Sequence, residues 1–550
     1  MTASDSTVRW HLPPESARVL LGADGALRLH EWLATGAATT IKDAAHRTIY
    51  RVQSNNIDFY LKQYRAVGPR NRLREVLRST KAKAEYDQAA ALSQRGIPVP
   101  RPLGWGILGN AFAPRASFLL SETVADARHL TEVLLDLTPA RRLLLSTALG
   151  QFVAQLHAAG VTHRDFHPGN LLVRWPADAP PHFVLIDLHE VHVGRPLAWR
   201  QRRDNLCVFN RYFILRATRT DRLRFWRAYA QAAGRALPDH PDATPNALEA
   251  ATVRSNNRFW KARVKKYLDS NRLVELFDLN SLDIDVMNVQ TLSVRSIDPD
   301  FATNFRSNPD AAFDKPNAAF LKQGGRSTVV RTPQGVLKRF NIASPLMEMC
   351  KGLLRRSQAK RSWLFGHALL DASLPTPRPL LYGLAGYDIP HAEYLLTEEL
   401  HHVVNIREFV ELLATLPGSE RRIVLRERIR LIARTIRQLH DRHFGHRDLK
   451  AGNLLTPADP ADHRVWFIDL VGVSRRRRVS RKARVHDLAR LLASFLNHPG
   501  LTHGDRLRFL FAYFGAKSHD KAGWRRWWRE LAEAAQAKVD RTRQRGRPLG

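Results

Sequence analysis

The chain repeats itself, and the repeat is too long to be anything but a second domain. The stretch Gln155 to Leu172, which runs Gln-Leu-His-Ala-Ala-Gly-Val-Thr-His-Arg-Asp-Phe-His-Pro-Gly-Asn-Leu-Leu, returns as Gln438 to Leu455 with the same His-Arg-Asp and Gly-Asn-Leu-Leu. Further landmarks follow in the same order at a nearly constant displacement. Ile186-Asp187-Leu188 recurs as Ile468-Asp469-Leu470, Asp204 as Asp487, Asp221–Phe225 as Asp505–Phe509, Pro100–Leu103 as Pro377–Leu380, and the Lys62 segment as the Lys338 segment. Solenoid repeats are about 20–50 residues long; this period is several times that. For a chain of 550 residues the expected organisation is therefore one domain over 25–295, a second over 318–540, and a basic tail over 541–550. The polar, Pro- and Asn-containing stretch 296–317 reads as the linker between them.

Within each copy the pattern runs from strands to helices. In the first, Thr48–Val52 and Asp58–Tyr64 alternate as a hairpin does, Thr80–Gln94 is periodic as a helix, and Ser117–Ser121 is a short apolar strand. Leu143–His157 then carries apolar residues at helical spacing into the His-Arg-Asp loop. The expected class is α+β, a small sheet with one helix followed by a mainly helical lobe.

The repeated polar residues suit phosphoryl transfer to a hydroxyl. That chemistry needs a carboxylate to orient the acceptor and take its proton, oxygen ligands for magnesium, and a cation on the phosphates of ATP. His163-Arg164-Asp165 with Asn170, and His446-Arg447-Asp448 with Asn453, match H-R-D-x-x-x-x-N. Asp165 and Asp448 are the expected bases, and Asn170 and Asn453 the expected metal ligands. Asp187 and Asp469 each end an apolar strand, Phe183–Ile186 and Val465–Ile468, and fit the second metal ligand. Lys62 and Lys338 lie on strand-like segments upstream, where a phosphate-binding lysine belongs. Glu85, on the following helix, is the expected partner of Lys62.

The copies differ at these contacts. Counting from the shared Pro-Arg-Pro-Leu, Glu85 corresponds to Ser362, so Lys338 lacks an evident partner. The second copy has Gly324 and Gly325 in its phosphate-loop segment, whereas Lys42–Thr48 of the first has no glycine. Close backbone approach to phosphate is easier with glycine. Each copy is thus imperfect at one ATP contact, and one of the two as a pseudokinase is an open alternative.

At these residues the chain resembles the lipopolysaccharide kinase family, bacterial enzymes that phosphorylate Kdo or heptose of the inner core. The resemblance covers both copies and rests on the H-R-D loops, the Gly96–Pro102 turn with its counterpart Ser373–Pro379, and an Ile-Asp-Leu where protein kinases have Asp-Phe-Gly. It implies two tandem bilobal protein-kinase-like domains, ATP and Mg2+ as cofactors, and a lipid-linked acidic saccharide as acceptor. Lys450, in Asp448-Leu-Lys-Ala-Gly-Asn453, resembles the protein-kinase lysine that touches the transferred phosphate. His167-Pro-Gly-Asn170 is instead similar to small-molecule kinases.

Composition narrows the partners. With 86 Lys+Arg against 52 Asp+Glu the net charge is +34, which suits anionic partners such as nucleic acid, an acidic membrane surface or a phosphorylated substrate. Arg475–Arg478, after Asp469, and Arg195, Arg200, Arg202 and Arg203 in the first copy lie where the acceptor enters, so an acidic saccharide is favoured over nucleic acid. Segments such as Trp524–Arg529, Arg224–Arg227 and Arg258–Lys261 interleave aromatic and basic residues as interfacial helices do. Only Cys207 and Cys350 are present, the start shows no secretory pattern, and no stretch would span a bilayer. A cytoplasmic enzyme follows, with peripheral contact to the anionic inner membrane. The alternatives are a Ser/Thr protein kinase, another small-molecule kinase, or a scaffold of paired pseudokinases.

Overall fold

The structure, a computed structural model, describes residues 8–44, 46–54, 57–65, 79–110, 113–234, 237, 242–271, 273–277, 289–342, 357–386, 391–496, 498–515 and 521–546. The chain divides into two compact units, Met1–Asn257 and Arg258–Gly550.

In the first unit a six-stranded antiparallel sheet is ordered Val8–His11, Pro102–Asn110, Ala113–Glu122, Ile57–Arg65, Arg47–Ser54, Ala38–Ala44. Period-two alternation decides what each face of the strand Ile57–Arg65 meets. Phe59 and Leu61 enter a core with Trp32, Val52 and Leu120. On the other face Tyr64 packs with Leu119 and with Ala82 of the helix Lys81–Gln94. Lys62, two residues before Tyr64, therefore also points at that helix. Thr80 starts the helix by accepting a hydrogen bond from the Lys83 amide.

The rest of the unit is mainly helical. Helix Pro139–Ala158 crosses Arg219–Ala233 closely enough that a Cβ on Gly150 would lie 2.4 Å from the Phe225 carbonyl oxygen. Glycine is required there by space. Leu149, Phe152, Val153, Phe166, Phe209 and Tyr229 belong to the core these helices enclose. Two small antiparallel pairings carry the polar residues: Leu171–Arg174 with His182–Leu185, and Val161–His163 with Val191–Val193.

The second unit repeats this plan with a seven-stranded sheet, and it corrects the expected boundaries. Strand Val289–Val294 pairs with Pro379–Ala385 as Val8–His11 pairs with Pro102–Asn110 in the first unit. The stretch 296–317, expected as a linker, holds the helix Pro299–Ser307. Asp298 caps it and Phe305 is buried against Gly383 and Tyr394. Its proline and acidic residues are helix-start chemistry. The repeat thus begins upstream of residue 25 in one copy and of residue 318 in the other, and the last helix, Lys521–Gln544, runs into the expected tail.

The aromatic-basic segments serve packing. Trp226 and Trp260 are buried, and Trp524 and Trp527 pack edge-on against Phe511 and Phe514. Among the described residues no helix is long and apolar enough to cross a membrane. Cys207 is a buried free thiol; Cys350 lies outside the described residues.

Candidate active site

In the first unit the backbone brings the metal-ligand candidates together. Leu171 pairs with Leu185, and the Ile186 amide donates to the Asn170 carbonyl at 3.0 Å. Asn170 and Asp187 therefore stand at the same end of one hairpin. Asp187 adopts a left-handed conformation (φ 62°), which is costly for a residue with a side chain and persists only where its surroundings enforce it.

Around Asp187 the side chains form a charged cluster. Lys62 Nζ lies 2.5 Å from Glu85 Oε1 and 3.9 Å from Asp187 Oδ1. The Tyr64 hydroxyl donates to Glu85 Oε2 at 2.6 Å, and the Leu188 amide donates to Glu85 Oε1 at 3.3 Å. Arg47 Nη1 and His189 Nδ1 reach Asp187 Oδ1 at 3.0 and 3.1 Å. Burial by itself would raise the Asp187 pKa. The adjacent His189 imidazole and the positive charges of Lys62 and Arg47 outweigh it and hold the carboxyl below the ordinary carboxylate range. All three contacts fall on Oδ1. Oδ2, together with the Asn170 carboxamide oxygen, is the oxygen set offered to a hard cation, since the Asn170 NH2 is committed to the Asp165 carbonyl at 2.9 Å. Glu85, Asp187 and His189 also have ligand atoms within 4.8 Å of one another. The residues present fit Mg2+ and the phosphates of a nucleotide.

Asp165 itself is exposed, with His167 Nε2 3.7 Å away. Its loop is held from below. His157 Nε2 donates to Asn205 Oδ1 at 3.2 Å, and Asn205 Nδ2 donates to the His163 carbonyl at 2.8 Å. The Tyr229 hydroxyl meets His157 Nδ1 at 2.8 Å.

The second unit rebuilds the loop with different chemistry. Asp487 accepts from the His446 and Arg447 amides at 2.8 and 3.0 Å and lies 3.4 Å from His440 Nε2. Its structural counterpart is Asn205, not the exposed Asp204 that sequence matching selected; Asp204 pairs with Arg203 at the surface. Asp469 is again left-handed (φ 56°), and the Ile468 amide donates to the Asn453 carbonyl at 3.0 Å. Lys338 Nζ sits 3.0 Å from Asp469 Oδ1 and 4.7 Å from the centre of the Phe340 ring. Glu85 and Tyr64 are replaced by Ser362 and Phe340, so the carboxylate and the hydroxyl that held it are lost together. Asn453 Nδ2 donates to the carbonyl and to Oδ2 of Asp448 at 2.8 and 3.2 Å. The Lys450 amide donates to the Asp448 carbonyl at 3.0 Å, tightening the backbone turn between Asp448 and Asn453. Gly324 and Gly325 are exposed. A Cβ on Gly325 would meet nothing within 4 Å, and one on Gly324 would make ordinary contacts, so what these glycines offer is open space.

The arginine run divides. Arg475 stacks over Trp260 and Phe444 at 4.9 and 5.6 Å, and burial lowers its pKa to about 10. Arg477 and Arg478 are exposed. In the first unit Arg202 is buried, donating to the Leu197 carbonyl at 2.7 Å. Arg475 and Arg202 thus serve packing, whereas Arg477 and Arg478 reach solvent.

Both units match one family model, described as lipopolysaccharide kinase (Kdo/WaaP), over residues 35–229 and 320–513. The chain belongs to that family. Among similar proteins is the lipopolysaccharide core heptose(I) kinase WaaP of Escherichia coli, 28% identical over 191 residues, covering 33% of this chain and 71% of the relative. WaaP of Pseudomonas aeruginosa is 29% identical over 197 residues, covering 33% and 73%. The 3-deoxy-D-manno-octulosonic acid kinase of Xanthomonas axonopodis pv. citri is 35% identical over 164 residues, covering 28% of this chain and 62% of the relative. As a member of the Kdo/WaaP family the chain is a phosphotransferase with an alcohol group as acceptor.

The buried imidazoles make stability pH-dependent. Burial lowers the pKa values of His157 and His163 to about 4, so both are neutral when folded and near 6.5 when unfolded. Their contribution is full above pH 6.5 and is lost as pH falls toward 4. We expect denaturant unfolding of the first unit to weaken by about 2 kcal/mol per imidazole between pH 7.5 and 5. A His157→Gln chain with the same slope as the parent would remove His157 from this account.

Proposed function

We propose that each unit is a bilobal, kinase-like enzyme transferring the γ-phosphoryl group of ATP to a hydroxyl of an acidic saccharide, with the lipopolysaccharide inner core as the favoured acceptor. The observation that carries this reading is the convergence, in both units, of a strand lysine with a left-handed aspartate at the end of the hairpin that bears the H-R-D asparagine. Asp165 and Asp448 orient the acceptor hydroxyl and accept its proton. Asn170 with Asp187, and Asn453 with Asp469, would hold Mg2+, while Lys62 and Lys338 face the phosphates. Lys450 adds a cation beside Asp448. When bound, MgATP supplies the phosphoryl group and the charge neutralisation that its transfer needs.

The first unit holds its lysine through Glu85 and compensates for the missing glycines with Arg47, a cation aimed at the phosphate region. Among the described residues Asp469 is the carboxylate paired with Lys338, so we infer a weaker nucleotide grip in the second unit. The names of the relatives support a saccharide acceptor, and the net charge of +34 supports peripheral attraction to an anionic cytoplasmic membrane face. Incubating the full chain with labelled ATP, Mg2+ and a panel of core saccharide lipids against generic protein substrates tests the reading. Label is expected on the saccharide; label confined to protein would replace this function with a protein kinase.

A further inference from the structure

In the second unit the carboxylate of Asp448 is already engaged. Arg490, on the helix Arg481–Ala493, places Nη2 on Asp448 Oδ1 as an ion pair, and its Nε is buried with no hydrogen-bond partner among the described residues. Lys538, on the helix Lys521–Gln544, adds a second positive charge felt by both groups. Among the described residues, the first unit shows no ion pair between an arginine and Asp165. Aligning Asn205 with Asp487 places Val208 at the position of Arg490, and Val208 packs against the helical core. Arg211, whose charge Asp165 does feel, hydrogen-bonds Asn256 and Ser255, both at 3.1 Å.

A guanidinium on the oxygen that must receive the acceptor's proton competes with the hydroxyl for that oxygen and makes the carboxylate a poorer base. The contact is useful only if something about the acceptor takes the guanidinium away. An anionic group next to the reactive hydroxyl does so, because a carboxylate or phosphate oxygen pair matches the guanidinium fork. The anion then holds Arg490 while the hydroxyl takes the oxygen that Arg490 has left. A neutral acceptor offers no replacement for the broken pair. Resting on the phosphotransferase reading above, we propose that Arg490 is the specificity-determining residue of the second unit and selects a sugar hydroxyl flanked by a carboxylate or phosphate. The first unit, with Val208, does not impose this requirement, so the two units act on different acceptors.

The test uses the full chain carrying Asp165→Ala to silence the first unit, with and without Arg490→Met or Arg490→Lys. Three acceptors are compared: a 3-deoxy-octulosonic acid glycoside with free carboxylate, its methyl ester, and a phosphorylated heptose. The Asp165→Ala chain should favour an anionic acceptor over the ester by about 10- to 100-fold in KM, the scale of a charge-assisted hydrogen bond. Arg490→Met should erase that preference with the ATP KM unchanged, and Arg490→Lys should restore part of it. Preference for the free acid or for the phosphorylated heptose tells which anion is read. A rise in kcat that is equal for acid and ester would make Arg490 a lock on Asp448 and overturn the proposal, as would an unchanged preference. If the Asp165→Ala chain turns over nothing, the phosphotransferase reading of this unit fails. Equilibrium binding of the same three acceptors still decides the inference: an anion preference lost in Arg490→Met supports it, and equal binding of acid and ester overturns it.

Discussion

Replacing Asp165 by alanine should cut the first unit's transfer rate about 10²–10⁴-fold, and Asp448→Ala should do the same in the second, because each removes the group proposed to position and deprotonate the hydroxyl. Each single variant should keep the product of the intact unit, and the double variant should keep neither. Product analysis by mass spectrometry reads this directly. A double variant with parental turnover would place the chemistry elsewhere. One single variant with parental turnover of every product would make its unit a pseudokinase.

The second large effect is expected at Glu85. This carboxylate is buried and accepts hydrogen bonds from Lys62, the Tyr64 hydroxyl and the Leu188 amide. Glu85→Ala leaves the mostly buried Lys62 ammonium with the more distant Asp187 carboxylate at 3.9 Å and takes the acceptor from two further donors; breaking such a pair costs about 3–5 kcal/mol. The first unit's unfolding transition should fall accordingly, and its ATP KM should rise by an order of magnitude or more as Lys62 loses its orientation. Ser362→Ala, at the matching position of the second unit, should cost less than about 1 kcal/mol, since among the described residues the Ser362 hydroxyl donates to the Gln358 carbonyl of its own helix and to nothing else. Equal losses in the two variants would contradict the asymmetry between the units.

Much of this site could be read from spacing. The H-R-D loop, its asparagine, the strand-ending aspartate and the lysine on an alternating strand are short-range patterns, and Ser362 could be matched to Glu85 by counting along a helix. What escaped reading depends on distant partners. Arg475 belongs to an arginine run in sequence, yet Trp260 and Phe444 hold it as packing. Asn205 was missed because the adjacent Asp204 matched Asp487 in residue type, and only the hydrogen bond to His163 shows which side chain supports the loop. Arg47 lies within Lys42–Thr48 and His189 directly follows Leu188, but nothing local says that both converge on Asp187. The segment 296–317 read as a linker because helix-capping residues and linker residues have the same composition.

On the proposed reading, each unit holds its own nucleotide site, and the two are unequal in grip. Calorimetric titration of the full chain with a non-hydrolysable ATP analogue and Mg2+ tests it most directly. Two sites per chain are expected, the tighter one lost in Asp187→Ala and the weaker one lost in Asp469→Ala. A single site per chain, or two sites that both survive these substitutions, would contradict it.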